Sequence, residues 1–267
     1  MVNILEKLQV FNKFKFREDI HKYYCNGVEM RTSVTRFIEQ FEKPFRLEYW
    51  AEKKAKEENI PTEEMLERWA SKGRISQILG TAIHGSIELL FNNKLFSFNE
   101  TEIKNQCKTE EEYQIVLENY NKIKPIVDQY YSDAASTLIP VRLEMVVGDE
   151  ELGIAGCLDG LFWNKKTRAL EIFDYKSNEK FKTANKYQKL IHPFDKLEQT
   201  SFNIYSIQLS IYKYFIEQHT GLSIGACWAV HFDRTQLKYE FYRCLDLTKE
   251  VEIIFDNIRK QKKEEIV

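Results

Sequence analysis

Residues 156–177 read GCLDGLFWNKKTRALEIFDYKS, two strand-like apolar runs joined by a short polar turn. Asp159 lies inside the first run, and Asp174 and Lys176 lie near the end of the second. A charge taken out of water must be paired, hydrogen-bonded or bound to a metal, so buried strands rarely tolerate such residues. These three side chains therefore indicate a candidate site inside the most strand-like part of the chain.

The flanking sequence predicts a three-stranded antiparallel meander. Its strands are the β-branched and aromatic runs LIPVRLEMVVG (138–148), LGIAGCLDGLFWN (152–164) and RALEIFDYK (168–176). Residues two apart on a strand share a face, so we expect Asp174 and Lys176 to project together while Tyr175 points away. If the second and third strands pair, Asp159 comes close to both.

The remaining sequence predicts helices around this sheet. Apolar spacings of three and four indicate helices throughout residues 46–135, with a break at Gly80 and a new helix capped by Thr81. After the meander come a helix ending near Gly221, two further strands and a terminal helix. This order favours an α/β fold, a mixed central sheet flanked by helices.

The chain is expected to have two parts. Residues 1–79 would form an N-terminal hairpin and helical subdomain, with a turn at Asn26-Gly27 and a helix capped by Ser33. Residues 80–267 would form the core, with a helical insertion at about 100–135. Whether the helical region covers a cleft or only stabilises the core is left open by the sequence.

Composition limits the class of protein. The 267 residues carry a formal net charge of −2, so the chain as a whole is not a basic nucleic-acid binder, and local lysine clusters or bound cations would have to hold a polyanion. Five scattered cysteines and the lack of a membrane-length apolar run or a secretory signal predict a cytoplasmic protein with free thiols and no membrane partner. The Lys-, Asn- and Ile-rich usage hints at an AT-rich genome, such as that of a phage or virus.

Other side chains fit a site at Asp159, Asp174 and Lys176. Two carboxylates beside an ammonium suit a divalent cation and an anionic substrate, and hard oxygen ligands favour Mg²⁺ or Mn²⁺. Further candidates are His84 and Glu88, four apart on a predicted helix, Gln208 and Tyr212, also four apart, and Glu144 in the first strand.

Five segments in this order resemble the RecB-like branch of the PD-(D/E)xK nuclease superfamily: GTAIHGSIE, RLEMVV, GCLDGLF, EIFDYKS and QLSIYKY. The resemblance covers residues 80–215, with a weaker likeness at SVTRFIEQF upstream. Each motif is unspecific on its own, but the ordered set is specific. Asp174 stands where much of the superfamily has Glu, and RecB-like members commonly have Asp. The resemblance implies a restriction-endonuclease-like core with an N-terminal helical subdomain.

The resemblance also implies roles for residues. His84, Asp159 and Asp174 would be metal ligands together with the backbone carbonyl of Tyr175, and Lys176 would orient or deprotonate the attacking water. Glu144 would be an auxiliary acid, while Gln208 and Tyr212 would support the lysine and contact the DNA strand. The implied activity is a DNA nuclease using one or two Mg²⁺ or Mn²⁺ ions, an exonuclease of recombination, repair or replication.

Some relatives with this pattern carry an iron–sulfur cluster bound by one cysteine upstream of the histidine motif and three near the C-terminus. Here Cys25 could be the first ligand, but Cys227 and Cys244 are the only late cysteines and lie far apart. We therefore expect no such cluster.

Several alternatives remain open. In the loop after Lys176, the side chains of Lys180, Lys182, Lys186 and Tyr187 can bind DNA phosphates and stack on unpaired bases, or can simply be solvated. The predicted partner is DNA, single-stranded or with free ends. A structure-selective endonuclease on the same fold and a non-catalytic nucleic-acid-binding protein are the rival functions. The oligomeric state is not predicted.

Overall fold

The computed structural model describes residues 2–94 and 100–265. Its α-helices are α1 (Val2–Leu8), α2 (Val34–Ile38), α3 (Leu47–Glu58), α4 (Thr62–Phe91), α5 (Glu100–Gln106), α6 (Glu110–Ala134), α7 (Ser201–Thr220) and α8 (Thr248–Glu265). Short 3-10 helices span Gln9–Lys13, Glu18–Ile20 and Glu39–Phe41. Within the described ranges, no helix combines the length and the apolar character needed to cross a membrane.

The strands form two sheets. They are β1 (Phe14–Arg17), β2 (Lys22–Cys25), β3 (Val28–Glu29), β4 (Thr32–Ser33), β5 (Leu138–Asp149), β6 (Ile154–Asn164), β7 (Ala169–Lys176), β8 (Ile224–Asp233) and β9 (Lys238–Arg243). β1, β2 and β3 form a small sheet, and the large sheet has the order β4-β6-β7-β8-β9 with β5 also paired to β6. β5, β6 and β7 are consecutively antiparallel, which confirms the predicted meander.

The large sheet is mixed and lies between helices. β7 and β8 are parallel, and α7 provides the crossover connection that a parallel pair requires. Alternate residues of β7 face opposite ways: Ile172 packs in the cluster that contains Phe215 of α7, whereas Phe173 packs in the cluster that contains Ile87 of α4. The predicted α/β class with a mixed sheet flanked by helices is therefore confirmed.

Three local predictions in the chain are confirmed. Asn26 and Gly27 both have positive φ, at 50° and 83°, and form the turn between β2 and β3. Ser33 caps α2 by accepting a hydrogen bond from the Arg36 N–H at 3.1 Å. Gly221 has φ 65° and ends α7 in the left-handed conformation that glycine tolerates.

The predicted helix break at Gly80 is wrong, because α4 runs through it without interruption. Thr81 is not a cap but donates from its hydroxyl to the Gln77 carbonyl one turn earlier. One interior glycine costs a helix only about 1 kcal/mol, and burial of Leu79 and Ile83 on either side outweighs that cost.

The predicted division into two parts stays a prediction, and its boundary between residues 79 and 80 lies inside α4. Within the predicted helical region 46–135, residues 95–99 lie outside the described residues. The insertion predicted at about 100–135 corresponds to α5 and α6.

Candidate metal and catalytic site

The candidate site lies where α4 crosses β5, β6 and β7. Leu143 pairs with Gly160 and Met145 with Leu158, so Glu144 of β5 stands opposite Asp159 of β6. His84, Glu144 and Asp159 each offer a ligand atom, and these atoms lie within 4.8 Å of one another. Three separate elements therefore bring one imidazole and two carboxylates together.

His84 is held between β6 and β7. Its Nε2 donates to the Tyr175 carbonyl at 2.8 Å, and its Nδ1 lies 3.4 Å from Oδ1 of Asp159. Burial disfavours the imidazolium, but the Asp159 carboxylate outweighs this effect and raises the pKa of His84 to about 9. A protonated ring satisfies both neighbours, because the carbonyl and the carboxylate both need a donor.

Asp159 stays ionised inside the sheet. The Tyr175 N–H donates to its Oδ2 at 2.6 Å. Burial opposes ionisation, but His84 and this backbone donor lower the pKa of Asp159. The carboxylate is thus a buried anion with one oxygen fixed by β7 and the other turned toward the imidazole.

Glu144 adopts a strained backbone in the middle of β5, with φ 46°. A non-glycine residue in this region costs of the order of 1–3 kcal/mol and is found preferentially at functional sites. Its side chain reaches solvent, but the surrounding protein and then the Asp159 charge raise the pKa of Glu144 to about 7. The thiol of Cys157 donates to its Oε2 at 3.6 Å.

Asp174 and Lys176 form a buried ion pair on β7. Nζ of Lys176 lies 2.6 Å from Oδ2 of Asp174, as their predicted common face requires. This oxygen accepts no hydrogen bond of standard geometry from the described residues. Burial raises the pKa of Asp174 to about 6 although Lys176 opposes the shift. Asp174 is therefore paired with the lysine, and it is not one of the three residues whose ligand atoms lie within 4.8 Å of one another.

Lys176 keeps its proton. Burial disfavours the ammonium, but the carboxylates of Asp174 and Asp159 prevail and raise the pKa of Lys176. On the side of α7, Nζ lies 4.5 Å from the centre of the Tyr205 ring. Sequence reasoning missed Tyr205, although its position three residues before Gln208, on the same helical face, could have indicated it.

Gln208 and Tyr212 contact each other and not Lys176. The Gln208 amide donates to the Tyr212 hydroxyl at 3.1 Å, and Tyr212 is 2% exposed. The Tyr212 ring packs so closely on Gly156 that a Cβ there would lie 2.8 Å from it. No hydrogen bond or ion pair joins either residue to Lys176 within residues 2–94 and 100–265, and their predicted contact with DNA stays a prediction.

The loop after β7 exposes the predicted DNA contacts. Lys180, Lys182 and Lys186 are exposed, and Tyr187 is 95% exposed. Phe181 instead stacks on Tyr242 with ring centres 4.1 Å apart. The structure thus leaves the lysines and Tyr187 free to meet a ligand. The candidate Glu88 is half-buried, and after burial and the Asp159 charge its own like charge also raises the pKa of Glu144.

The donor set fits a hard divalent cation. Two carboxylates, an imidazole and a backbone carbonyl are suitable ligands for Mn²⁺ or Mg²⁺. Comparison with protein-family models and with curated proteins finds no match for this chain.

Proposed function

We propose that this chain is a Mg²⁺- or Mn²⁺-dependent DNA nuclease, an exonuclease with the restriction-endonuclease-like core of the RecB-like PD-(D/E)xK branch. The observation that carries the proposal is the convergence of Glu144, Asp159, Asp174 and Lys176 from three adjacent strands. A D-x-K triplet that occurs by chance does not explain why two other strands bring carboxylates to it. DNA recombination, repair or replication would be its setting.

His84, Asp159 and the Tyr175 carbonyl would hold the cation, with Asp174 and Glu144 beside them. On binding the cation, His84 would lose the proton from its ring. When bound, the cation supplies a more acidic water and offsets the charge of the scissile phosphate. The burial of Asp159 and Asp174, at 8% and 2% exposure, keeps competing water away from the ligands. Low local polarity strengthens their attraction for a cation.

Lys176 would act as a fixed positive charge. The ion pair with Asp174 keeps its ammonium protonated and directs it by a short contact. A phosphodiester gains negative charge in the transition state of hydrolysis, so a preorganised ammonium stabilises that state more than the ground state. This role agrees with orienting the attacking water and stabilising charge, and not with removing a proton from the water.

The test is a time course on end-labelled single-stranded, duplex and circular DNA with Mg²⁺, Mn²⁺ or EDTA. We expect metal-dependent loss of linear DNA, while circular DNA stays intact. The cleavage rate of Lys176→Ala should fall at least roughly 100-fold, as when other contacts that stabilise transition-state charge are removed. Lys238→Ala, which removes an exposed lysine of β9, is the matched control. Circular dichroism of both variants checks that they fold.

Each other outcome has a definite meaning. Cut circles would make the enzyme an endonuclease on the same fold. DNA binding that persists in EDTA without cleavage under any metal would identify a non-catalytic nucleic-acid-binding protein. Full turnover by Lys176→Ala would refute the assignment of the site.

A further inference from the structure

The start of α3 carries an exposed aromatic cluster. Phe45, Tyr49 and Trp50 are 67%, 47% and 40% exposed. In the described ranges, the other exposed large aromatic residues are Tyr187 and Phe241, so three of five lie within six residues. Single exposed apolar side chains are ordinary, but a cluster of large ones indicates a binding surface.

The cluster is not a by-product of helix packing. α3 buries two small side chains, Ala51 and Ala55, against Met65 of α4, and leaves its largest side chains in solvent. Packing for stability alone would favour the reverse arrangement, because buried apolar area stabilises a fold. The orientation of α3 therefore favours contact with something outside the chain.

Cations lie directly on the exposed rings. The Arg46 guanidinium is 4.5 Å from the centre of the Tyr49 ring, and Nζ of Lys53 is 5.2 Å from that of Trp50. Neither cation forms an ion pair within 4.0 Å among the described residues, whereas the other two lysines of α3 both do. Those pairs are Lys54 with Glu57 and Lys56 with Glu52. The hydrogen bond from Lys54, and to a lesser degree the Lys53 charge, lowers the pKa of Glu57.

We propose that this surface, formed by Phe45, Arg46, Tyr49, Trp50 and Lys53 and called here the α3 surface, binds single-stranded DNA. Aromatic rings stack on unpaired bases, and adjacent unpaired cations neutralise the phosphates. Duplex DNA fits less well, because its base faces are already stacked inside the helix. The inference rests on the proposed nuclease function and specifies its substrate as a single strand.

The α3 surface is connected to the candidate site along α4. The Phe45 ring lies 6.2 Å from the ring of Trp69, and Lys72, three residues further, pairs with Glu179 of the loop after β7 at 2.5 Å. From Trp69 to His84 the helix rises about 22 Å over fifteen residues. Even at the 3.4 Å per nucleotide of a stacked B-form strand, twelve nucleotides extend about 40 Å, which exceeds this distance. A strand of this length can occupy both places.

The binding test uses a fluorescent twelve-nucleotide single strand in EDTA, so that cleavage does not contribute. We expect Tyr49→Ala with Trp50→Ala to weaken binding roughly 30-fold, because each base–aromatic stack contributes strongly to affinity. Tyr49→Phe with Trp50→Phe keeps the rings and should retain affinity within about threefold. Ile253→Ala, at a residue 60% exposed on α8, is the control for loss of exposed apolar area.

A second strand separates stacking from charge. An abasic twelve-nucleotide strand has the same phosphates but no bases, so the wild-type protein should bind it roughly as weakly as the double alanine variant binds the normal strand. Equal affinity of wild-type and double alanine protein for the normal strand would overturn the inference. Wild-type protein that binds both strands equally would overturn it too.

The remaining outcomes separate this inference from the proposed function. If binding depends on the aromatic rings but the protein cleaves no DNA, the α3 surface is supported as a DNA-binding site and the proposed nuclease function is refuted. If the protein cleaves DNA but the α3 variants bind the strand as well as the wild type, the nuclease function is supported and the proposed role of the α3 surface is refuted. Gel filtration tests whether the α3 surface instead binds a second copy of this chain. A dimer that the double alanine variant abolishes, while DNA binding stays unchanged, would make the surface an interface between two copies and would overturn the inference.

Discussion

Nζ of Lys176 lies 4.5 Å from the centre of the Tyr205 ring and 2.6 Å from Oδ2 of Asp174. Strand β7 and helix α7 thus hold one ammonium from two sides. Burial raises the pKa of Tyr205 although Lys176 opposes the shift, so the phenol stays neutral. Tyr205 is a positioning residue that acts through the lysine.

Two substitutions of Tyr205 distinguish the contribution of its ring from that of its hydroxyl. Tyr205→Leu removes the cation–π contact, worth about 1 kcal/mol, and should lower kcat roughly fivefold with little change in KM. Tyr205→Phe keeps the ring and should restore kcat. Steady-state kinetics of both variants provides the measurement. A Phe variant as slow as the Leu variant would show that the contact with Lys176 is not what matters.

Metal binding should stabilise the protein through Asp159. At a cation concentration 100-fold above Kd, binding contributes about 2.7 kcal/mol to the free energy of unfolding, which raises Tm by roughly 5–10 °C in a protein of this size. Thermal unfolding in Mn²⁺ and in EDTA measures the shift. Asp159→Asn should abolish it, and Glu151→Gln, at an exposed carboxylate, should not. An unchanged shift in Asp159→Asn would place the cation elsewhere.

The ion pair between Asp149 and Arg259 should make stability depend on acid pH. Arg259 donates to Oδ2 of Asp149 at 2.6 Å and joins α8 to β5. Burial opposes ionisation, but His219, the Leu152 N–H and Arg259 lower the pKa of Asp149 from 3.8 to about 2. The folded pKa lies below the unfolded one, so this stability is present above pH 3.8 and is lost as the pH falls toward 2.

A substitution isolates that contribution. Asp149→Asn should lose about 2 kcal/mol of the free energy of unfolding near neutral pH. The difference in the free energy of unfolding between wild-type and variant should narrow as the pH falls from about 4 toward 2, because protonated Asp149 resembles Asn. Urea unfolding at several pH values provides the measurement. A gap independent of pH would contradict the assignment.

The contact of Tyr212 with Gly156 should be structural. A Cβ on Gly156 would lie 2.8 Å from the Tyr212 ring and 3.0 Å from Val34, so Gly156→Ala should cost about 1–3 kcal/mol of stability. Gly73→Ala is the matched control, since a Cβ there meets nothing within 4 Å on a helix, and it should stabilise by about 0.5–1 kcal/mol. Denaturant melts of both variants decide this. A neutral Gly156→Ala would mean that α7 can move away from β6.

Much of the fold could be predicted from the sequence because the signals are local. The meander followed from three β-rich runs and their turns, and Ser33, Asn26-Gly27 and Gly221 have the side chains or conformational freedom that caps and turns demand. The common face of Asp174 and Lys176 followed from the two-residue period of a strand. Each of these features depends on residues close together in the chain.

The site depends on contacts between residues that are far apart in the sequence. Gly80 continues a helix because the packing of α4 outweighs a local preference of about 1 kcal/mol. The strained Glu144 faces Asp159 only through the register of β5 with β6, and Tyr205 meets Lys176 only because α7 packs on β7. Periodicity and propensity determined the elements of this protein, whereas the tertiary structure decided which charged groups share one buried space, because burial and pairing energies are set by non-local neighbours.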